Sequence, residues 1–120
     1  LGVAYYEQGR IDEAIGAYET ALKIKPDDAD IHYNLAHAYA KQGRIDDAIS
    51  EYKAALKFNP DDAKVHYYLG VAYRKQGRID DAISEYQIVL NLNPNDAGTR
   101  QKLDDLYVRR ETIKNSRGEK

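Results

Sequence analysis

The sequence predicts an all-α protein, a solenoid of stacked antiparallel helix pairs that ends in a C-terminal capping helix. The segment KQGRIDDAISEY occurs without change at residues 41–52 and 75–86, and the close variant EQGRIDEAIGAY occupies residues 7–18. The same 34-residue spacing separates the three prolines of the chain, Pro26, Pro60 and Pro94. A fixed period of this length is typical of repeat arrays, in which each unit packs on its neighbours.

Each repeat divides into two helices, as the middle unit shows. Ile31, Leu35 and Ala38 recur at three- and four-residue spacing, which is the period of one helix face. Gly43 then suits the left-handed backbone of a helix end. A second apolar stripe of helical period follows, made of Ile45, Ala48, Ile49, Tyr52, Ala55 and Leu56. This second helix should end before Pro60, because the residue preceding a proline is disfavoured in helical angles.

The repeat register divides the chain into five segments. We expect a first unit, truncated at its N-terminus, at residues 1–28, complete units at 29–62 and 63–96, a C-terminal capping helix at 97–113 and a frayed polar tail at 114–120. Because the residues that would complete the first unit are missing, we expect the chain to be a fragment of a longer protein.

Helix starts and ends follow from local signals within this register. Residues 1–8 should form only the end of a first helix, before Gly9. Aspartate is a favoured N-cap residue. The aspartates expected to cap helices in this way are Asp28, Asp62 and Asp96.

The last helix has the composition of a cap. Its apolar side is thin and consists mainly of Leu103, Leu106 and Tyr107, while its other side is polar. Such a helix covers the hydrophobic edge of the last unit and presents polar groups to water. Asp104 occupies a position where the other units carry a small residue, and a carboxylate is costly in a close helix contact. We therefore expect no further unit to pack after this helix in the usual way.

Fixed positions within each unit carry a bulky residue, a leucine followed by a small residue, a tyrosine, an alanine, a second aromatic residue and a closing proline. The middle unit supplies His32, Leu35, Ala36, Tyr39, Ala48, Tyr52 and Pro60, and the next supplies His66, Leu69, Gly70, Tyr73, Ala82, Tyr86 and Pro94. This pattern resembles the tetratricopeptide repeat family. The resemblance implies a right-handed superhelix in which the first helix of each pair lines a concave groove.

Two kinds of repeated residue should hold the stack together. Small residues allow two helices to approach closely, and we expect this at Ala36, Ala48, Gly70 and Ala82. Large aromatic residues fill the space between one unit and the next. The residues expected to do so are Tyr18, Tyr52 and Tyr86.

The sequence contains no convincing catalytic or metal-binding constellation, and we expect neither enzymatic activity nor a cofactor. Ser50 and Ser84 are equivalent residues on exposed helix faces with no base beside them. His32 and His66 lie one repeat apart, which is too far for one metal ion, so we expect them to serve packing.

Composition narrows the class of partner. Charged residues make up 32% of the chain and hydrophobic residues 42%, while the net charge is −2. This near-neutral balance argues against non-specific nucleic-acid binding. No apolar run approaches the ~20 residues of a membrane span, so we expect no membrane partner. The absence of cysteine leaves the compartment open, and a cytoplasmic location is the default expectation.

The candidate binding residues are those that the resemblance implies for the concave groove. They are Tyr6, Tyr33, Asn34, His37, Lys41, Lys64, Tyr67, Tyr68, Val71, Arg74, Lys75 and Lys102. Tyrosine offers rigid contact area with a polar tip, and the interleaved cations favour an acidic partner. The sequence therefore predicts a protein-interaction scaffold that binds a protein or peptide segment with acidic or carboxylate-bearing groups.

The resemblance also offers a clamp for a C-terminal carboxylate, but only Asn34 and Lys64 match it, while Val3 and Tyr68 do not, so we do not expect this clamp. One alternative remains open. A different class of function is a structural spacer or self-assembly unit that stacks end to end through its exposed terminal repeats. The open N-terminal edge at residues 1–8 would be the contact in that case.

Overall fold

The structure is a computed structural model that describes the backbone of residues 2–118 and the side chains of residues 8–118. Six helices and no strand occur within this part of the chain. Their bounds are α1 Gly2–Ile24, α2 Ala29–Lys41, α3 Ile45–Phe58, α4 Ala63–Lys75, α5 Ile79–Leu92 and α6 Ala97–Ser116. Each helix packs mainly on the helices before and after it, which gives an elongated shape of 50 × 37 × 24 Å. The predicted all-α repeat solenoid is confirmed.

Glycine closes the first helix of both complete units. Gly43 and Gly77 have φ angles of 78° and 77°. In each case the next residue donates its backbone N–H to the carbonyl five residues earlier, Arg44 to Tyr39 and Arg78 to Tyr73, at 2.9 Å. This arrangement satisfies carbonyl groups that a helix end leaves without partners. The predicted turns at these positions are confirmed.

The expected break at Gly9 is wrong. α1 continues through Gly9 as one helix, and Gly9 does not have the positive φ of Gly43 and Gly77. A continuous helix keeps its backbone hydrogen bonds, and glycine allows helical angles as well as the left-handed ones of a turn. A glycine inside a helix costs only about 1 kcal/mol relative to alanine.

The expected end of the last helix is also too early. α6 continues to Ser116, so the first residues of the predicted frayed tail are helical. Gly118 follows with a φ of 74° and donates its backbone N–H to the carbonyl of Asn115 at 3.1 Å. This glycine therefore ends α6 as Gly43 and Gly77 end α2 and α4.

The three predicted aspartate caps are present. The Asp28 carboxylate accepts from the backbone N–H groups of Asp30 and Ile31 at 3.0 and 3.2 Å. Asp62 and Asp96 play the same part at the starts of α4 and α6. Hydrogen bonds from the backbone N–H and the hydroxyl of Thr99 lower the pKa of Asp96.

The core follows the predicted small-and-aromatic pattern. Ala36, Ala48 and Ala82 are fully buried, and Tyr52 and Tyr86 are 2% and 0% exposed. A Cβ added at Gly70 would lie 2.8 Å from Cε1 of Tyr86, so α4 and α5 approach here as closely as glycine allows. None of the helices within residues 2–118 combines the length and hydrophobicity that a bilayer crossing requires.

Candidate functional site

Four rings from three helices meet on one face of the stack, and we call them the aromatic cluster: Tyr33, His37, Tyr52 and Tyr68. His37 on α2 lies edge-on to Tyr68 on α4, with ring centroids 4.5 Å apart. Tyr33 packs edge-on to His37 at 4.4 Å and lies 6.2 Å from Tyr68. Tyr52 of α3 approaches all three rings at 5.6–6.5 Å. The cluster joins two neighbouring repeats, since α2 and α4 are the first helices of consecutive units.

A hydrogen bond links the histidine of the cluster to Tyr52. The Tyr52 hydroxyl lies 2.6 Å from Nδ1 of His37, and which of the two groups donates depends on the tautomer of the imidazole. Burial, together with the cations Lys41 and Lys64, lowers the pKa of His37 below 6.5. Burial also raises the pKa of Tyr33 to about 12 and raises the pKa of Tyr52. Tyr33, His37 and Tyr52 are therefore uncharged at neutral pH.

Three rings of the cluster, those of His37, Tyr52 and Tyr68, line a pocket of about 230 Å³ between α2 and α4, which we call the aromatic pocket. Its lining consists of His37, Ala40, Lys41, Ile45, Tyr52, Tyr68, Val71, Ala72 and Lys75. Lys41 and Lys75 are exposed, and neither forms an ion pair with any residue from 8 to 118. The pocket therefore combines an apolar interior with two cations that have no counter-charge among residues 8–118.

A second pocket of about 310 Å³ lies one repeat earlier, between α1 and α2. Asn34 and His37 occupy in it the positions that Tyr68 and Val71 occupy in the aromatic pocket. His37 and Lys41 line both pockets. Two equivalent pockets thus lie side by side, the first more polar and the second more aromatic.

The structure distributes the predicted groove residues over three pockets. Six of them line the aromatic pocket or complete its cluster, namely Tyr33, His37, Lys41, Tyr68, Val71 and Lys75. Asn34 lines the pocket before it. Lys64, Tyr67 and Lys102 line a third space of about 360 Å³ at the start of α6. Arg74 is exposed and lines none of the three. The Tyr6 side chain and most of the predicted self-association edge lie outside the described residues, so both stay predictions.

Sequence reasoning missed the part of Tyr52 in the site. Its repeat position indicated packing, and it is indeed buried, but its ring and hydroxyl also form the inner wall of the aromatic pocket. The sequence did contain a signal for this part. His37 offers Tyr52 a ring nitrogen, whereas the equivalent residue of the next unit, Val71, offers Tyr86 none.

His32 and His66 lie between helices, as expected from the sequence. Nδ1 of His32 lies 3.1 Å from the Glu51 carboxylate, and Nε2 lies 2.7 Å from the carbonyl oxygen of Pro26. His66 repeats this geometry with Glu85 at 2.7 Å and the Pro60 carbonyl at 2.8 Å. Each histidine ties the second helix of its own unit to the turn before that unit.

The pair Tyr52 and Tyr86 gives a matched prediction. The Tyr86 hydroxyl is buried with no hydrogen-bond partner among residues 8–118, whereas the Tyr52 hydroxyl bonds to His37. We expect Tyr52→Phe to lower the free energy of unfolding by about 1 kcal/mol. Tyr86→Phe should leave it unchanged or raise it by up to about 1 kcal/mol, because an unpaired buried hydroxyl is removed. Urea unfolding of the two variants checks this, and equal destabilisation would contradict it.

His37 predicts a pH dependence of stability. The pKa of His37 is 6.5 in the unfolded chain and lies below 6.5 in the folded chain. At a pH between these two pKa values, the unfolded chain binds more protons than the folded chain. Stability therefore rises with pH across this window and falls as the pH drops below 6.5. The His37→Val substitution introduces the residue found at the equivalent position 71. It should reduce the amount by which the free energy of unfolding falls between pH 7.5 and pH 5. Urea unfolding at both values measures the difference, and identical losses in both proteins would refute the assignment.

The stacked helix pairs with pockets between successive first helices define a helical-repeat module for protein interaction. A family model described as "Tetratricopeptide repeat" matches residues 33–97, and one described as "TPR repeat" matches residues 2–43. The chain belongs to the tetratricopeptide repeat family.

Solved structures agree with this assignment. The first TPR domain of human RPAP3 is 27% identical with a TM-score of 0.81, covering 96% of this chain and 91% of that one. The first TPR of Spaghetti (RPAP3), bound to the HSP90 peptide SRMEEVD, is 27% identical with a TM-score of 0.79, covering 90% and 86%. MamA is 28% identical with a TM-score of 0.81, and 92% of this chain matches 65% of MamA, just under two thirds of its length. No curated protein matches the chain.

Proposed function

We propose that the face formed by α2 and α4 binds an extended, acidic segment of a protein partner, without catalysing a reaction. In this proposal an apolar side chain of the segment enters the aromatic pocket, and carboxylates on either side of it meet Lys41 and Lys75. The face is the concave groove that the family resemblance implies. The observation that carries the proposal is the aromatic pocket, whose two lysines form no ion pair with the side chains that the structure describes.

The shape and polarity of the pocket support an apolar anchor. Its volume of about 230 Å³ is several times the ~30 Å³ that one water molecule occupies in the liquid. Val71 and Ala72 of α4 and Ile45 of α3 contribute apolar surface, and Tyr68 adds an aromatic wall. Aromatic anchors in partly enclosed pockets commonly dominate the binding energy of protein interfaces.

The charges around the pocket support an acidic segment. Lys41 and Lys75 are equivalent residues of consecutive repeats, and both line the aromatic pocket. Lys64 lies 4.8 Å from the centre of the Tyr33 ring, on the same face. These cations accelerate encounter with an anionic partner and select against a basic one. A 27% identical relative is bound to SRMEEVD, an acidic peptide, which supports the same chemistry.

The side chains at the equivalent positions 34 and 68 do not support a clamp for a C-terminal carboxylate of the kind that the family resemblance offers. Asn34 and Lys64 lie in different pockets, the first between α1 and α2 and the second at the start of α6. Tyr68 forms part of the aromatic cluster instead of offering a cation. We therefore expect the partner segment to be recognised by an internal apolar residue with acidic neighbours.

Titration with fluorescent peptides tests the proposal. Peptides with one leucine or phenylalanine between acidic residues should bind, and versions with that residue replaced by serine or the acids replaced by lysine should not. Affinity should fall as salt concentration rises, because exposed charges are screened. Equal binding of the acidic and the basic peptides would contradict the proposal.

A further inference from the structure

Tyr86, in the third unit, is a buried tyrosine whose hydroxyl has no partner among the described side chains. The residue is 0% exposed, and its hydroxyl forms no hydrogen bond with any residue from 8 to 118. Leaving a buried hydroxyl without a hydrogen bond is costly, so most such groups in proteins have a partner. The Tyr86 hydroxyl is therefore a candidate for a group whose partner comes with a bound molecule.

The equivalent tyrosine of the preceding unit shows where this hydroxyl lies. The ring of Tyr52 lies 6.1 Å from that of Tyr33, and the ring of Tyr86 lies 5.8 Å from that of Tyr67, so the two units hold their tyrosines in the same way. Tyr52 lines the aromatic pocket. The Tyr86 hydroxyl therefore lies one repeat farther along the same face of the stack, on the side of α6.

Two differences between the units converge on this hydroxyl. His37 provides the Tyr52 hydroxyl with a partner at 2.6 Å, whereas the equivalent residue of the third unit, Val71, has no polar atom in its side chain. Three residues later, Ala40 is matched in the third unit by Arg74. The third unit thus lacks the internal partner of its tyrosine and carries a cation in addition.

The cation lies close to the hydroxyl and is available to a ligand. Burial raises the pKa of Tyr86 to about 12, and the nearby Arg74 guanidinium opposes this rise. The Arg74 side chain is exposed and forms no hydrogen bond or ion pair with any residue from 8 to 118. A hydroxyl and a guanidinium can both donate to a single acceptor. Together the two residues therefore suit a carboxylate.

Tight packing holds the Tyr86 ring in place. The ring lies against Gly70 of α4, where an added Cβ would be 2.8 Å from Cε1 of Tyr86. A ring packed this closely cannot move towards a new partner, so the partner has to come to the hydroxyl. The hydroxyl is covered in the free chain, and Arg74, which no bond to the described residues fixes, can turn to admit a ligand.

We propose that Tyr86 and Arg74 form a carboxylate site of the groove, which binds one acidic residue of the partner segment on the α6 side of its apolar anchor. This inference rests on the proposed function, because it assigns a further contact to the same segment. The carboxylate accepts from the Tyr86 hydroxyl and from the Arg74 guanidinium. Such charge-assisted hydrogen bonds are stronger than neutral ones, so the site selects where the acidic residue stands in the segment.

The position of that acidic residue follows from the spacing of the repeats. Helices that pack together lie about 8–10 Å apart, and an extended chain advances about 3.3 Å per residue. The carboxylate site and the aromatic pocket lie one repeat apart. The acidic residue should therefore stand about three residues from the apolar anchor, on one side of it only.

A double-mutant cycle between the chain and its peptide tests the proposal. The probe is a fluorescent peptide with one leucine between glutamates, and each glutamate in turn is replaced by glutamine. Tyr86→Phe and Arg74→Gln should each weaken binding of the parent peptide about tenfold, the scale of a hydrogen bond to a charged group. Both variants should bind the peptide that lacks the one glutamate about three residues from the leucine as the unsubstituted chain does.

Stability separates this effect from a structural one. Tyr86→Phe should leave the free energy of unfolding unchanged or raise it, so a loss of affinity in this variant cannot come from unfolding. Two controls remove the same groups elsewhere. Tyr107→Phe removes a hydroxyl that bonds to Gln87, and Arg100→Gln removes a cation from an exposed position that lines none of the three pockets. Both should leave the affinity for the peptide unchanged.

The outcomes distinguish this site from the proposed function itself. Parent-peptide binding that is unchanged in Tyr86→Phe and Arg74→Gln but lost in Tyr68→Ala would overturn the carboxylate site and leave the aromatic pocket in place. Equal weakening by Tyr86→Phe whichever glutamate is replaced would also overturn it, since no single acidic residue is then recognised. If the unsubstituted chain binds none of the acidic peptides, the proposed function and the carboxylate site are both rejected.

Discussion

Replacing Tyr52 with alanine is expected to lower the free energy of unfolding by roughly 3–5 kcal/mol, the range for large aromatic truncations in protein cores. The Tyr52 side chain is 2% exposed and contacts the rings of Tyr33, His37 and Tyr68. Its removal opens a cavity at the junction of two units and removes the hydrogen bond to Nδ1 of His37. Because a domain of this size changes its Tm by several degrees for each kcal/mol, thermal unfolding should shift by more than 10 °C.

The same substitution at the first unit is a matched control. Tyr18 occupies the equivalent position on α1 but is only half-buried. Tyr18→Ala should therefore lower the free energy of unfolding by clearly less than Tyr52→Ala does. Circular dichroism during heating and in urea measures both values. An unchanged melting curve for Tyr52→Ala would refute the packing of the repeats as described here.

Removing the ring of Tyr68 is expected to weaken binding of an acidic peptide with an apolar anchor by about thirtyfold or more, since central aromatic anchors contribute 2 kcal/mol or more. Tyr68 lines the aromatic pocket and contacts both Tyr33 and His37 of the preceding repeat. Lys75→Gln should have a smaller effect and should mainly reduce the salt dependence of binding, because Lys75 is exposed.

Tyr107→Ala provides the control for Tyr68→Ala. Tyr107 is a half-buried tyrosine of α6 whose hydroxyl accepts from the Gln87 side chain, outside the aromatic pocket. The Tyr107→Ala substitution should leave the affinity for the peptide unchanged at a temperature where all variants are folded. If Tyr68→Ala binds the peptide as tightly as the unsubstituted chain, the aromatic pocket is not the anchor site.

Most of the fold could be predicted because its signals are local. The glycine at position 43 permits the left-handed backbone of a helix end, the aspartate at 62 caps a helix start and the proline at 60 disfavours helical angles before it, and the helices begin and end near them. Gly9 shows the limit of such signals. Glycine permits a turn but does not require one, and α1 stays continuous through Gly9. The end of α6 was misplaced for a related reason, because a polar composition does not by itself end a helix.

The candidate site could be predicted only in outline. Positions where the repeats differ, such as 34 against 68 and 37 against 71, line the pockets between units, and their part in binding stays a prediction. The contact between Tyr52 and His37 could not be predicted, because it depends on how α2 and α3 rotate against each other.

The central claim is that the α2–α4 face binds the acidic segment, and NMR mapping of the bound peptide tests it most directly. Amide and ring signals of the aromatic cluster, with those of Val71 and Lys75, should shift on titration. Intermolecular nuclear Overhauser effects should connect the apolar side chain of the peptide to Tyr68. Saturable shifts confined to α3 and α5, with none at His37 or Tyr68, would contradict the account.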